Sequence, residues 1–222
     1  MTKFTLIIAV LSYLLGSIPF GYLLVRIFRG QDVRQTGSGN IGATNVARTG
    51  SKGLAIATLL LDALKGYAAV KIAVWLGGLY SAQEAPLVLS GQESQLMGGQ
   101  TIFLLAALAA FCAILGHMFT IWLHFRGGKG VATAVGAFAA LAPLAIVVAL
   151  VLFIVVVALT HYISLGSMVS AVAFPLLAWW LSPADRKTLP IILLIAASSL
   201  LIVIRHKDNI QRLFAGTEHR WR

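Results

Sequence analysis

Long apolar runs alternate with short polar segments along the whole chain. The runs at 4–28, 53–79, 101–123, 168–182 and 189–205 are read as membrane-crossing helices, because a helix spans ~30 Å of hydrocarbon with roughly 20 apolar residues. The run from Val131 to Thr160 is too long for one crossing, since 30 residues at 1.5 Å rise make about 45 Å. Ala142-Pro143 lies in its middle, and a proline disfavours helical geometry in the residue before it. The pattern therefore predicts two helices there, 131–141 and 143–160, the first of them short.

Charge then sets the orientation. The chain has 17 Lys and Arg against seven Asp and Glu, a net charge of +10. With seven spans, twelve of the 17 basic residues fall on one side, and only Lys3, Arg186 and Lys187 on the other. The loop from Tyr80 to Gln100 carries no Lys or Arg and is read as external. Basic residues favour the cytoplasmic side, so the expectation is an all-α integral membrane protein with seven transmembrane helices, N-terminus external and C-terminus cytoplasmic. The segments 29–52, 124–130, 161–167 and 205–222 then form cytoplasmic-side substrate loops.

Composition agrees: 59% of residues are hydrophobic and 11% charged, against roughly 25% charged in soluble domains. The whole chain, 1–222, is read as a single transmembrane domain. The basic balance fits orientation and anionic partners, while nucleic-acid binding is excluded for want of a basic, aromatic-interleaved soluble patch. Cys112 is the only cysteine, so no intrachain disulfide forms.

Nearly all the unusual polar residues lie in those four cytoplasmic segments. The first reads Gly37-Ser38-Gly39-Asn40-Ile41-Gly42-Ala43-Thr44-Asn45 and continues to Arg48. Glycines let backbone N–H groups approach an anion, and Ser, Thr and Asn add donors; the plainer reading of any one of them is a turn and helix cap. The second is Gly127-Gly128-Lys129-Gly130, where Lys129 is expected to open a helix whose N-terminus favours anions. It is not a P-loop, since Gly130 rather than Ser or Thr follows the lysine. The third offers Ser164 and Ser167, the latter explicable as an N-cap before Met168. In the tail His206 and Asn209 share a face if the helix continues, and histidine is suited to proton work near neutral pH. Inside a span, Asp62 and Lys65 stand three apart and can pair; they are either functional or a device holding helices together. The seven acids form no metal cluster, so no metal or other cofactor is expected. Neither a His-x-x-x-x-Asp pairing nor a Gly-x-Ser-x-Gly elbow occurs.

The two glycine-rich stretches, 37–46 and His117-x-Phe119 through Phe125-x-Gly-Gly-Lys-Gly-Val-Ala-Thr133, resemble the signature of the bacterial acyl-phosphate:glycerol-3-phosphate acyltransferases of the PlsY type. Leu61-Asp62-Ala63-Leu64-Lys65-Gly66 and the tail His206-x-x-Asn209-Ile210-x-Arg212-Leu213…Gly216-x-Glu218 are similar to further motifs of that family. The resemblance implies transfer of a fatty acyl group from acyl phosphate to the 1-hydroxyl of glycerol 3-phosphate, giving lysophosphatidic acid and phosphate at the bacterial inner membrane. An acyl phosphate is already activated, so direct transfer without an acyl-enzyme is expected, by a monomer among membrane lipids. On this reading Ser38, Asn40, His206 and Asn209 are catalytic. Gly39, Gly42, Thr44, Asn45, Arg48, Gly128, Lys129, Gly130, Ser164 and Ser167 bind substrate, and Asp62, Lys65 and His117 support them. The base is either His206 or a substrate phosphate oxygen. The rival from another class is a transporter for small phosphorylated anions, which predicts polar residues running through the spans to the external face.

Overall fold

The structure is a computed structural model describing residues 2–84 and 92–221. Among these the regular elements are helices: α1 (Thr2–Ser17), α2 (Phe20–Arg29), α3 (Ala43–Arg48), α4 (Lys52–Glu84), α5 (Gln92–Met118), α6 (Val131–Leu141), α7 (Pro143–Thr160), α8 (Ile163–Leu181), α9 (Leu189–Ile204) and α10 (Lys207–Phe214), with short 3-10 turns between some of them. Five segments are long and apolar enough to cross a membrane: Lys3–Arg29, Lys52–Tyr80, Gly98–Leu123, Pro143–Thr160 and Ile163–Leu181. The count reaches six when α9 and α10, bent by 51° at the break between them, are taken as one segment. The eleven residues of α6 extend only about 16 Å at 1.5 Å each, roughly half a bilayer core.

Small residues let these helices touch along their backbones. A Cβ on Gly16 would run into the carbonyl of Ala113, and one on Gly116 into the carbonyl of Tyr13, which locks α1 against α5. Gly66 and Gly136 do the same for α4 and α6, against Thr133 and Ala63. Lipid offers no hydrophobic drive between helices, so close van der Waals packing of this kind carries the association. A core of Ala106, Ala110, Ile114, Ala137, Phe138 and Phe174 fills the space where α5, α6 and α8 meet, with the Phe138 and Phe174 rings stacked at 4.2 Å.

Several expected boundaries move. The run 4–28 is two helices, because Pro19 interrupts it. The freed carbonyl of Ile18 accepts from Lys65 Nζ at 2.7 Å. The break at Ala142-Pro143 is present as expected, with Pro143 at the first turn of α7. Much of the expected loop at 80–100 is helical, since α4 continues to Glu84 and α5 begins at Gln92; positions 85–91 of that loop lie outside the described residues. Falling hydropathy marks where a helix leaves the membrane, whereas Ala, Gln and Glu remain good helix formers there. The expected third loop shrinks too: α8 begins at Ile163, so Ser164 and Ser167 sit in its opening turns and Ser167 is not an N-cap. Likewise α6 starts at Val131 behind Gly130, not at Lys129. The tail does not simply continue α9: His206 is the N-cap of the separate α10.

Gly136→Leu drives a side chain into the α4 backbone and is expected to lower stability by at least about 2 kcal/mol. Gly78→Ala, where a Cβ meets nothing within 4 Å, serves as the near-neutral control. Thermal unfolding of the two variants in detergent separates them; equal midpoints would contradict backbone-contact packing.

Candidate active site

The four polar segments meet at one end of the bundle around a cavity of about 520 Å³. Ser38, Asn40, Gly42, Thr44 and Arg48 line one wall, Lys129 and Gly130 another, Ser164 and Ser167 a third, and His206, Asn209 and Arg212 a fourth. Leu59, Phe153 and Ile163 supply an apolar side.

The first loop is held by one side chain. Asn45 is 1% exposed. Its amide nitrogen donates to the carbonyls of Val33 (2.9 Å), Thr36 (3.1 Å) and Asn40 (2.7 Å), and its Oδ1 accepts from the Ser38 N–H at 2.8 Å. Asn45 thus spends its hydrogen-bonding capacity on the loop, although it was expected to bind substrate. Beneath it Val33, Ile41 and Val46 pack with Val25 and Leu123. Gly37 and Gly39 take φ of +54° and +68°, a region costly for other residues. Asn40 Oδ1 accepts from the Gly42 N–H at 2.8 Å, which leaves its amide nitrogen as a donor. Ser38, Thr44 and Arg48 are exposed.

The second loop is tied differently. The amides of Gly127 and Gly128 donate to the carbonyls of Met118 (3.1 Å) and His117 (3.0 Å). Their own carbonyls accept from Arg205, whose Nη2 reaches Gly127 at 3.0 Å and whose Nε reaches Gly128 at 3.2 Å. Gly128 lies against the His117 ring, where a Cβ would collide with Nε2. Its polar groups are thereby engaged inside the protein and it does not line the cavity, whereas Lys129, Gly130 and the start of α6 do. The first amides of α6 have no intrahelical partner; the first to find one is Ala134, on Gly130.

Behind this loop, Asp62 Oδ1 and Lys65 Nζ pair at 2.7 Å and His117 Nδ1 stands 3.5 Å from the same oxygen. All three are 2–3% exposed. The expected Asp62–Lys65 pair is therefore present, with His117 as third member.

The fourth wall centres on Glu218. Its Oε1 accepts from Ser164 Oγ at 2.8 Å and Asn209 Nδ2 at 2.6 Å, and its Oε2 from Arg212 Nε at 2.8 Å. Asn209 Oδ1 in turn accepts from Lys129 Nζ. Ser167 Oγ bonds back to the carbonyl of Ile163 at 2.9 Å. Burial works against the Glu218 carboxylate, but the donors of Asn209, Ser164 and Arg212 outweigh it and hold the carboxyl below its ordinary range. Lys129 is pushed down to about 8, mainly by desolvation, with Glu218 and Asp208 opposing and Arg212 and Arg48 assisting. Burial lowers His206 to about 4. Its Nδ1 lies 2.7 Å from the carbonyl of Ile202; a carbonyl only accepts, so Nδ1 carries the proton and Nε2 is the acceptor.

A family model described as glycerol-3-phosphate acyltransferase matches residues 6–216. The chain belongs to that family. A glycerol-3-phosphate acyltransferase of Rhodopseudomonas palustris (strain BisB5) is 46% identical over 211 residues, covering 95% of this chain and 93% of the relative. One of Geobacter sulfurreducens is 43% identical over 217 residues, covering 98% and 97%. Among solved structures, the chain resembles PlsY (YgiH), an integral membrane glycerol 3-phosphate acyltransferase, in its glycerol 3-phosphate form. The TM-score is 0.80 at 30% identity, covering 98% of this chain and 96% of that one. The lysophosphatidic acid form gives 0.76 at 28%, covering 97% and 94%.

In this family member, sequence reasoning missed two residues that hold the site. Glu218 lies in the tail motif with no role assigned to it, and Arg205 counts only among the twelve basic residues that set the topology.

Asn45→Asp keeps the shape of the first loop's central side chain but sets carboxylate oxygens against three carbonyls. A loss of about 2–4 kcal/mol is expected, as for buried groups left unpaired, measured as a lowered unfolding midpoint and faster proteolysis at 33–48. An unchanged midpoint would refute the role of Asn45 as the loop's fastener.

Proposed function

We propose that this chain transfers a fatty acyl group from acyl phosphate to the 1-hydroxyl of glycerol 3-phosphate, yielding lysophosphatidic acid and phosphate, the first step of bacterial phospholipid synthesis. The observation that carries the reading is that one cavity gathers two walls rich in hydrogen-bond donors and His206 beside an apolar side formed by Leu59, Phe153 and Ile163. The reading includes one transmembrane domain of seven spans in the bacterial inner membrane, N-terminus out, with α6 as the short seventh and the basic cavity end cytoplasmic. The protein acts as a monomer.

Acyl phosphate is already activated, so the chemistry needs no enzyme nucleophile. The 1-hydroxyl oxygen attacks the acyl carbon, the carbon–oxygen bond to phosphate breaks, and phosphate leaves with the electron pair and takes the hydroxyl proton. Ser38, the Gly39 backbone and the free Asn40 amide hold the acyl phosphate and its developing oxyanion, with Gly42 and Thr44 beside them. Arg48, Lys129, Gly130, Ser164 and Asn209 receive glycerol 3-phosphate, and Ser167 lines the same wall. Among the described residues Arg48 has no ion-pair partner, which leaves its charge for a phosphate. A histidine lowered to about 4 is a poor proton store near neutrality, so His206 Nε2 orients the attacking hydroxyl while the phosphate oxygen serves as base. Positioning two reactants supplies up to ~7–11 kcal/mol of such a barrier, and donors aimed at the oxyanion about 3–4 kcal/mol each.

Purified protein in lipid is expected to release phosphate from acyl phosphate only when glycerol 3-phosphate is present, with one lysophosphatidic acid per phosphate. Vesicle uptake of phosphorylated anions without this chemistry would favour a transporter. Arg48→Ala should raise KM for glycerol 3-phosphate at least tenfold, whereas Ser38→Ala or Asn40→Ala should lower kcat at saturating substrate; the reverse pattern would undo the assignments. The pH profile gives a further check. Burial favours the neutral amine of Lys129, so its positive charge is lost above about pH 8. The free-enzyme kcat/KM for glycerol 3-phosphate is expected to fall above that pH. Lys129→Arg should move the limb upward by more than one unit, and a wild-type profile flat to pH 9.5 would contradict it.

A further inference from the structure

We infer that Arg205 is a positioning residue for the glycerol 3-phosphate half of the site, acting through the backbone carbonyls of Gly127 and Gly128 to set the place of Lys129. Arg205 does not line the cavity. It caps the C-terminus of α9 immediately before His206, at the 51° bend into α10. Its guanidinium donates to both glycine carbonyls, at 3.0 and 3.2 Å, and lies over the Phe119 ring at 5.4 Å. Phe119 is itself anchored, because its carbonyl accepts from Tyr13 Oη at 2.6 Å.

The consequence is two glycines held at both backbone groups, with the peptide plane between them fixed from both sides. Their amides are bound to the carbonyls of Met118 and His117, and their carbonyls to Arg205. Lys129 is the next residue, and its ammonium meets Asn209 on α10. The glycine loop and the helix bend are therefore linked twice, once through Arg205 and once through Lys129–Asn209. Only the first link lies outside the cavity, so it remains whatever substrate does to the second. Glycine has no side chain to fix its own peptide planes, which is why an external clamp matters here. The clamp needs arginine: the planar fork presents two donors in fixed directions and stacks on an aromatic face, whereas a lysine is a single compact charge with rotating donors.

Arg205→Lys keeps the charge and removes the fork. It is expected to raise KM for glycerol 3-phosphate at least tenfold, with KM for acyl phosphate changed less than threefold and the unfolding midpoint within a few degrees of wild type. Phe119→Leu removes the stacking surface without touching either carbonyl or the cavity, and is expected to raise the same KM two- to fivefold. It decides the matter alone if Arg205→Lys does not fold. A folded variant with wild-type KM for glycerol 3-phosphate, whatever its midpoint, overturns the inference and leaves Arg205 a stability residue only. The inference rests on the proposed acyl transfer. Wild-type protein inert toward glycerol 3-phosphate overturns both, while active wild type with unaltered variants overturns this one alone.

Discussion

Irregular backbone at the end of an apolar helix bundle must have its polar groups satisfied by the protein itself, and the site depends on how that is done. Unpaired amides and carbonyls in low-dielectric surroundings cost several kcal/mol each. Asn45 meets the requirement for the first loop with one amide group reaching three carbonyls and one N–H. The second loop meets it from two directions, with the carbonyls at the end of α5 taking its amides and Arg205 taking its carbonyls. In both cases the cavity is then lined by residues that carry donors, Ser38, Asn40, Thr44 and Arg48 from the first loop and Lys129 from the second.

Charge follows the same logic. The cavity holds more positive than negative groups, yet its one carboxylate with three donors, Glu218, organises the far wall. It fixes which way the Asn209 amide points, so that Oδ1 meets Lys129. Its negative charge also offsets part of the desolvation that lowers Lys129. Deeper in the bundle, Asp62 and Lys65 neutralise each other. Lys65 also satisfies the carbonyl freed at the Ile18–Pro19 break. Breaking such a buried pair leaves an uncompensated charge, which explains how ionisable residues persist inside a span.

Much of this was legible in the chain. Hydropathy located the apolar segments, Pro143 marked the α6–α7 break, and the two glycine-rich stretches named the walls that meet at the cavity. What was not legible depends on partners distant in sequence. Glu218 binds Ser164, 54 residues away, and Asn209, nine away, and no local pattern joins them. Arg205 acts on carbonyls, which every residue has, so its target leaves no trace in side-chain identity. Asn45 looked like a substrate donor because an amide suited to phosphate is equally suited to backbone. The start of α8 was misplaced because Ser164, Gly166 and Ser167 read as loop, whereas Ser164 and Ser167 find partners from within the helix.

The central claim is that both substrates occupy one cavity and that the acyl group passes directly between them. Intact-protein mass spectrometry after mixing purified protein with acyl phosphate alone tests this most directly. The account predicts an unmodified chain mass, with product formed only after glycerol 3-phosphate is added. A chain heavier by one acyl group, losing that mass when glycerol 3-phosphate arrives, would contradict it.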